Sequence, residues 1–293
     1  MTLPSTPTVR TVAVPGAHLH YEIRGKGPLL LVIGAPMASA DFAPVADALA
    51  GDHTVVTYDP RGFANSTIDD PGQDSTPALR ADDIAAILDD LGAESADVFG
   101  SSGGAVTGLA LVVSHPGRVR TLVAHEPPLL ELLPDAAQQR AATQDIIDTF
   151  RSDGMHAAWF TFMSNAGFDM SAGDGGRDPA PAQPAEQSEP SETERREAAR
   201  FFEHELWHTT QYQPDIEALR APPTRVLVGL GTESGHLLTH RTATALADLL
   251  GTKTIAFPGD HGGFLGVPAE FAARLTEVLT CPRVRRGQPM RTA

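Results

Sequence analysis

The run Val98-Phe99-Gly100-Ser101-Ser102-Gly103-Gly104-Ala105-Val106 decides how this chain folds. Ala96, Val98 and Phe99 read as a short apolar strand, and Val106, Leu109, Leu111 and Val112 follow as an apolar helix pattern. Between them lies Gly-x-Ser-x-Gly. A strand, a sharp turn and a helix around that pattern make a nucleophile elbow, where the serine sits at a strained backbone position. Both flanking glycines are needed there, because side chains would collide with neighbouring backbone. The frame selects Ser102, flanked by Gly100 and Gly104, over Ser101, which would need a glycine where Phe99 stands.

Upstream of the elbow, Thr11 to Val14 and His18 to Ile23 alternate around Pro15-Gly16, which predicts an antiparallel hairpin at a sheet edge. Residues 28–33 and 54–58 are apolar without alternation, as strands covered on both faces are. Helix patterns at 42–49 and 78–91 separate these strands, the second ending at Gly92. Downstream, strands are expected at 119–124, 224–230 and 253–257, with helices at 238–250 and 268–279. Strands alternating with helices imply an α/β architecture with a mostly parallel sheet of about eight strands, helices on both faces. From 129 to 222 the pattern changes to helices alone (136–150, 155–164 and 192–209). Within it, 171–191 is rich in Gly, Pro, Ala, Ser and Glu and is expected to be a mobile loop. Arg283, Arg285 and Arg286 read as a basic disordered tail.

At 293 residues, the chain is long enough for one large domain with an insertion. A formal net charge of -15 disfavours binding to nucleic acid, which needs clustered Lys and Arg to displace counterions. Cys281 is the only cysteine, so no intrachain disulfide forms. Residues 1–10 lack the apolar core of a signal peptide, and no run reaches the length of a membrane span. A soluble cytoplasmic protein without a membrane partner is expected, and a homo-oligomer remains open.

Serine at its own pKa is a poor nucleophile, so Ser102 needs a base and a third group that holds that base in the right tautomer. His261 is the candidate base. It follows the last strand, at the carboxyl edge of the sheet where the elbow also opens and where such sheets bind ligands.

These pieces together resemble the α/β-hydrolase superfamily over nearly the whole chain. The matching motifs are Gly34-Ala35-Pro36, Asp59-Pro60-Arg61-Gly62, Gly100 to Gly104 and His261-Gly262-Gly263-Phe264, in that order. The resemblance implies a core of residues 1–128 and 223–293, with 129–222 as a helical cap over the site. It also implies an oxyanion hole made by the backbone N–H groups of Gly103 and Ala35. Many relatives have His-Gly where this chain has Ile33-Gly34, but the donor is the next backbone N–H, so the role passes to Ala35.

Most relatives carry the triad acid three residues beyond a glycine after the strand at 225–230. Counting from Gly231 gives Ser234, with Glu233 one place early. Haloalkane dehalogenases place the acid at the end of the strand after the elbow helix, and Glu126 fits that position. Glu126 is therefore the preferred acid and Glu233 the alternative. A serine nucleophile disfavours dehalogenase and epoxide-hydrolase chemistry, whose ester intermediate forms on a carboxylate. The expected activity is hydrolysis of a hydrophobic carboxylic ester or lactone through an acyl-serine, without a cofactor. C–C bond hydrolysis or cofactor-free perhydrolysis would use the same residues, and a non-catalytic ligand-binding relative would share the fold.

Both tryptophans, Trp159 and Trp207, lie in the cap region, and with Met37, Phe42 and Phe264 they are the candidate substrate-binding residues. A competing motif is His204-Glu205-Leu206-Trp207-His208, which on a helix would offer two imidazoles and a general base to zinc, the alternative function being a zinc peptidase. The glycine and third histidine of the extended motif are absent, so surface histidines are the preferred reading and no metal is expected. His236 and His240 are read in the same way.

Overall fold

The computed structural model describes residues 6–170, 189–221 and 223–280. Nine strands form one sheet: β1 (Thr8–Val14), β2 (Ala17–Arg24), β3 (Leu29–Ile33), β4 (Thr54–Tyr58), β5 (Thr67–Ile68), β6 (Ala96–Ser101), β7 (Val119–His125), β8 (Arg225–Gly231) and β9 (Ile255–Phe257). Their order is β1-β2-β4-β3-β6-β7-β8-β9, with β5 paired to β2. The hairpin β1–β2 is antiparallel, and every pair from β4 through β9 is parallel. The ninth strand, beyond the eight expected, is β5; two residues are too few to leave a periodic signal.

Apolar strands without alternation are covered on both faces. Leu31 and Ile33 of β3 join a cluster with α2 (Pro77–Asp90), α3 (Gly103–Ser114) and α9 (Leu238–Leu250), whereas Leu30 and Val32 join one with α1 (Ala43–Leu49) and α11 (Pro268–Thr280). Because side chains alternate along a strand, a one-residue slip would exchange the two sets, so the register is strongly specified. That register aligns Ile33 with Gly100 and Ser101 with His125, which brings the carboxyl ends of β3, β6 and β7 to one edge.

Among the described residues between β7 and β8 the elements are helical: α4 (Ala136–Asp153), α5 (Met155–Ala166), α6 (Glu192–His204), α7 (Leu206–Thr210) and the short α8 (Ile216–Arg220). Phe150, Trp159, Phe201 and Phe202 pack into an aromatic cluster that reaches the sheet domain at Phe63. The helix expected at 192–209 is broken at Glu205, whose φ of −125° is not helical. Residues 171–188 of the expected loop, the arginine tail and Cys281 lie outside the described residues; Ser191 caps α6 in a capping box with Glu194. Among the described residues no helix is long and apolar enough to cross a membrane.

Candidate active site

Ser102 stands at the turn between β6, the strand between β3 and β7, and α3. Its φ of +53° and ψ of −123° are strained for a non-glycine residue, and its N–H donates to His125 O at 3.0 Å. The flanking glycines are required by space. A Cβ on Gly100 would lie 2.5 Å from Gly104 O, and one on Gly104 would lie 2.2 Å from Ile33 O. Opposite the elbow, a Cβ on Gly103 would lie 2.4 Å from Ala35 O, so the loop after β3 lies directly against the first residue of α3. The Gly103 N–H belongs to that first helical turn, where no intrahelical acceptor exists and the helix dipole favours an anion. Asp59 holds the same loop from below, accepting from Ser39 N at 2.8 Å and from Asn65 N at 3.0 Å.

At the end of β7, Glu126 has a φ of +49° and no solvent exposure. Among the described residues only three non-glycines have positive φ, and two of them, Ser102 and Glu126, sit at this edge. Glu126 Oε2 lies 2.7 Å from His261 Nδ1. The carboxylate also accepts from Gly231 N at 2.8 Å through Oε1 and from Thr239 Oγ1 at 2.8 Å through Oε2. Burial pushes its carboxyl up, but the His261 hydrogen bond and the electrostatic pull of the neighbouring imidazoles outweigh it. They hold the group well below the usual carboxylate range. Of the two candidate acids, it is Glu126 that meets His261. Glu233 has an exposed side chain and ties its loop through its backbone N–H to Gly259 O at 3.0 Å. Asp260 turns back to Gly262 N at 2.8 Å.

His261 is partly exposed, with its Nδ1 committed to Glu126, and no hydrogen bond joins it to Ser102. Catalytic hydrogen bonds are often long or unformed before substrate binds and tighten in the complex, so the missing bond is consistent with a nucleophile–base pair. Behind His261 stacks a second imidazole, that of the fully buried His125, with ring centroids 6.2 Å apart. Burial pulls the His125 pKa down to about 4, leaving it neutral. Its Nδ1 faces Ser101 Oγ at 3.3 Å. His125 and Thr239 escape motif reading, because a single hydroxyl and a strand histidine carry no spacing signal; Ser234 was reached by counting from Gly231, but only as a position lacking the expected carboxylate.

The candidate substrate residues divide. Phe42 and Phe264 are buried and stacked at 5.0 Å, and Phe42 presses against Gly34, so they support the loop after β3 from within the core instead of presenting open surface. Met37 is half-buried on the same cluster. Trp159 and Trp207 are half-buried in the helical layer, Trp159 stacked on Phe201 at 5.1 Å. The helix is interrupted at Glu205, within the histidine motif at 204–208. His204 Nδ1 and His208 Nε2 meet Asp74 at 3.0 and 3.1 Å, while Glu205 is buried and lies 3.6 Å from Arg80. No group of three or more ligands that could hold a metal exists among the described residues.

The profile of the α/β hydrolase fold family matches residues 27–262. The chain is 34% identical over 278 residues to the uncharacterized hydrolase YraK of Bacillus subtilis, covering 92% of this chain and 95% of that protein. Its fold superposes on the enol-lactonase from Burkholderia xenovorans LB400 with a TM-score of 0.68 at 20% identity, covering 92% of this chain and 100% of the other. For carboxylesterase CesB from Bacillus subtilis the TM-score is 0.64 at 18% identity, with 94% and 93% covered. The chain belongs to the α/β-hydrolase fold family.

Proposed function

We propose that this α/β hydrolase cleaves hydrophobic carboxylic esters or lactones through an acyl-serine intermediate. One observation carries the reading: His261 Nδ1 is bound to a buried, ionised Glu126 at the sheet edge where Ser102 is held in strained geometry. With Nδ1–H given to Glu126, the His261 Nε2 lone pair is free to take the Ser102 proton as Oγ attacks the substrate carbonyl. The negative oxygen of the tetrahedral intermediate is stabilised by the N–H groups of Gly103 and Ala35, each worth about 10²–10³ in rate. Its collapse expels the alcohol, which takes the proton from His261. Water then attacks the acyl-Ser102, deprotonated by His261, and releases the acid and free serine. The negative charge of Glu126 stabilises the imidazolium in both steps.

Substrate class is supported by the activities named for the structural neighbours, a carboxylesterase and an enol-lactonase. The test is a panel of p-nitrophenyl esters of rising acyl length and of lactones, assayed with the wild type and with Ser102→Ala. Turnover of an apolar ester or lactone, lost in the variant, is expected; no turnover of any member, or equal turnover in both proteins, contradicts the proposal.

A further inference from the structure

We infer that Thr239, in the first turn of α9, is a positioning residue that sets both the orientation of Glu126 and the basicity of His261. The inference rests on the serine-hydrolase reading above. Three atoms form a triangle: Thr239 Oγ1 lies 2.8 Å from Glu126 Oε2, Oε2 lies 2.7 Å from His261 Nδ1, and Oγ1 lies 3.5 Å from Nδ1. The hydroxyl has one proton, and the carboxylate, which can only accept, receives it. Oε2 thus takes two donors, while Oε1 takes the Gly231 N–H at 2.8 Å. One anchor on each oxygen prevents the carboxylate from turning about its terminal torsion, which is otherwise soft. Ser234 Oγ, buried beside Gly231, adds a further hydroxyl to the same pocket.

The electrostatic consequence has a definite sign. A donor on Oε2 withdraws negative charge from the atom that faces the imidazolium. Without it, Glu126 becomes a stronger partner for protonated His261, and the imidazole pKa rises. The other titratable groups on the surrounding elements stay in place. They are His125 of β7 behind the ring, Asp260 in the same loop with Oδ1 on Gly262 N, the exposed Glu233 after β8, and His240 on α9. Thr239 is on the far side of Nδ1 from the reacting Nε2, so its loss should act on kcat and the pH profile with little effect on KM.

The experiment compares wild type, Thr239→Val and Thr239→Ser on one p-nitrophenyl ester across pH 5–9, with rates normalised to sites titrated by a fluorophosphonate. For Thr239→Val the acid limb of kcat/KM is expected to move up by about half a pH unit, and kcat to fall by about three- to tenfold, with KM unchanged. Thr239→Ser restores both. A limb that stays at the wild-type pH in a folded Thr239→Val protein, or a serine variant as impaired as the valine, overturns the inference. Absence of esterase activity and of Ser102 labelling in the wild type would instead defeat the proposed function, so the two failures are distinct.

Discussion

His261 Nδ1 lies 2.7 Å from Oε2 of Glu126, a carboxylate carried at the end of β7 beside the elbow and not in the loop after β8. The bond runs between groups 135 residues apart, so it depends on the sheet register that aligns the strand ends. Glu126→Gln keeps the shape but favours the wrong imidazole tautomer, and kcat is expected to fall by about 10³–10⁴. Glu233→Gln, at an exposed side chain, is expected to stay within about twofold of wild type. Steady-state kinetics of the two variants on the same ester check this.

The elbow glycines are required by space. Gly104→Ala would drive a Cβ to 2.2 Å from Ile33 O in rigid backbone, and a loss of more than about 3 kcal/mol of stability is expected. Gly51→Ala, with no atom within 4 Å of the new methyl, is expected to be neutral within about 0.5 kcal/mol. Urea denaturation of both variants makes the comparison.

Buried neutral His125 makes stability depend on pH. Its native pKa of about 4 lies below the ordinary histidine value, so the unfolded chain binds the extra proton first as pH falls. The native state holds its full advantage above about pH 6.5 and loses it between there and about pH 4, by about 3 kcal/mol in all. Melting curves from pH 7 to pH 4 should therefore fall more steeply for wild type than for His125→Asn, which cannot titrate.

Arg80 and Glu205 link α2 to the break between α6 and α7, both nearly without exposure. Arg80 also donates to Thr107 Oγ1 and Thr209 Oγ1, each at 2.9 Å. Arg80→Met removes the nearer of two arginines, Arg80 and Arg200, that offset the upward push of burial on the Glu205 carboxyl, and it leaves Thr107 and Thr209 without their donor, so a loss of about 3 kcal/mol of stability is expected. Adding Glu205→Gln to that variant is expected to recover part of the loss. A thermodynamic double-mutant cycle measures the recovery as a coupling energy.

The fold was legible because its signals are periodic. Apolar runs without alternation at β3 and β4 marked strands covered on both faces, and Gly100 and Gly104 marked a turn with no room for side chains. Two features escaped. Thr67–Ile68 is too short for periodicity, and the break at Glu205, whose side chain is buried 3.6 Å from Arg80, falls within a stretch whose local pattern is helical. At the site, Ser102 and His261 stood in loops with recognisable neighbours. Glu126 was readable only by its position at a strand end, because its partners, Gly231 N and Thr239 Oγ1, come from the far side of the helical insertion. Of the aromatic candidates, Phe42 and Phe264 have side chains buried in the core, a placement that composition alone does not reveal.

The central claim is that Ser102 is a nucleophile activated by His261. It is tested most directly by treating the protein with a fluorophosphonate probe and locating the adduct by peptide mass mapping. The account predicts stoichiometric labelling on the peptide that contains Ser102, abolished by Ser102→Ala and strongly slowed by His261→Gln. Labelling at another residue, or labelling that survives Ser102→Ala, would contradict it.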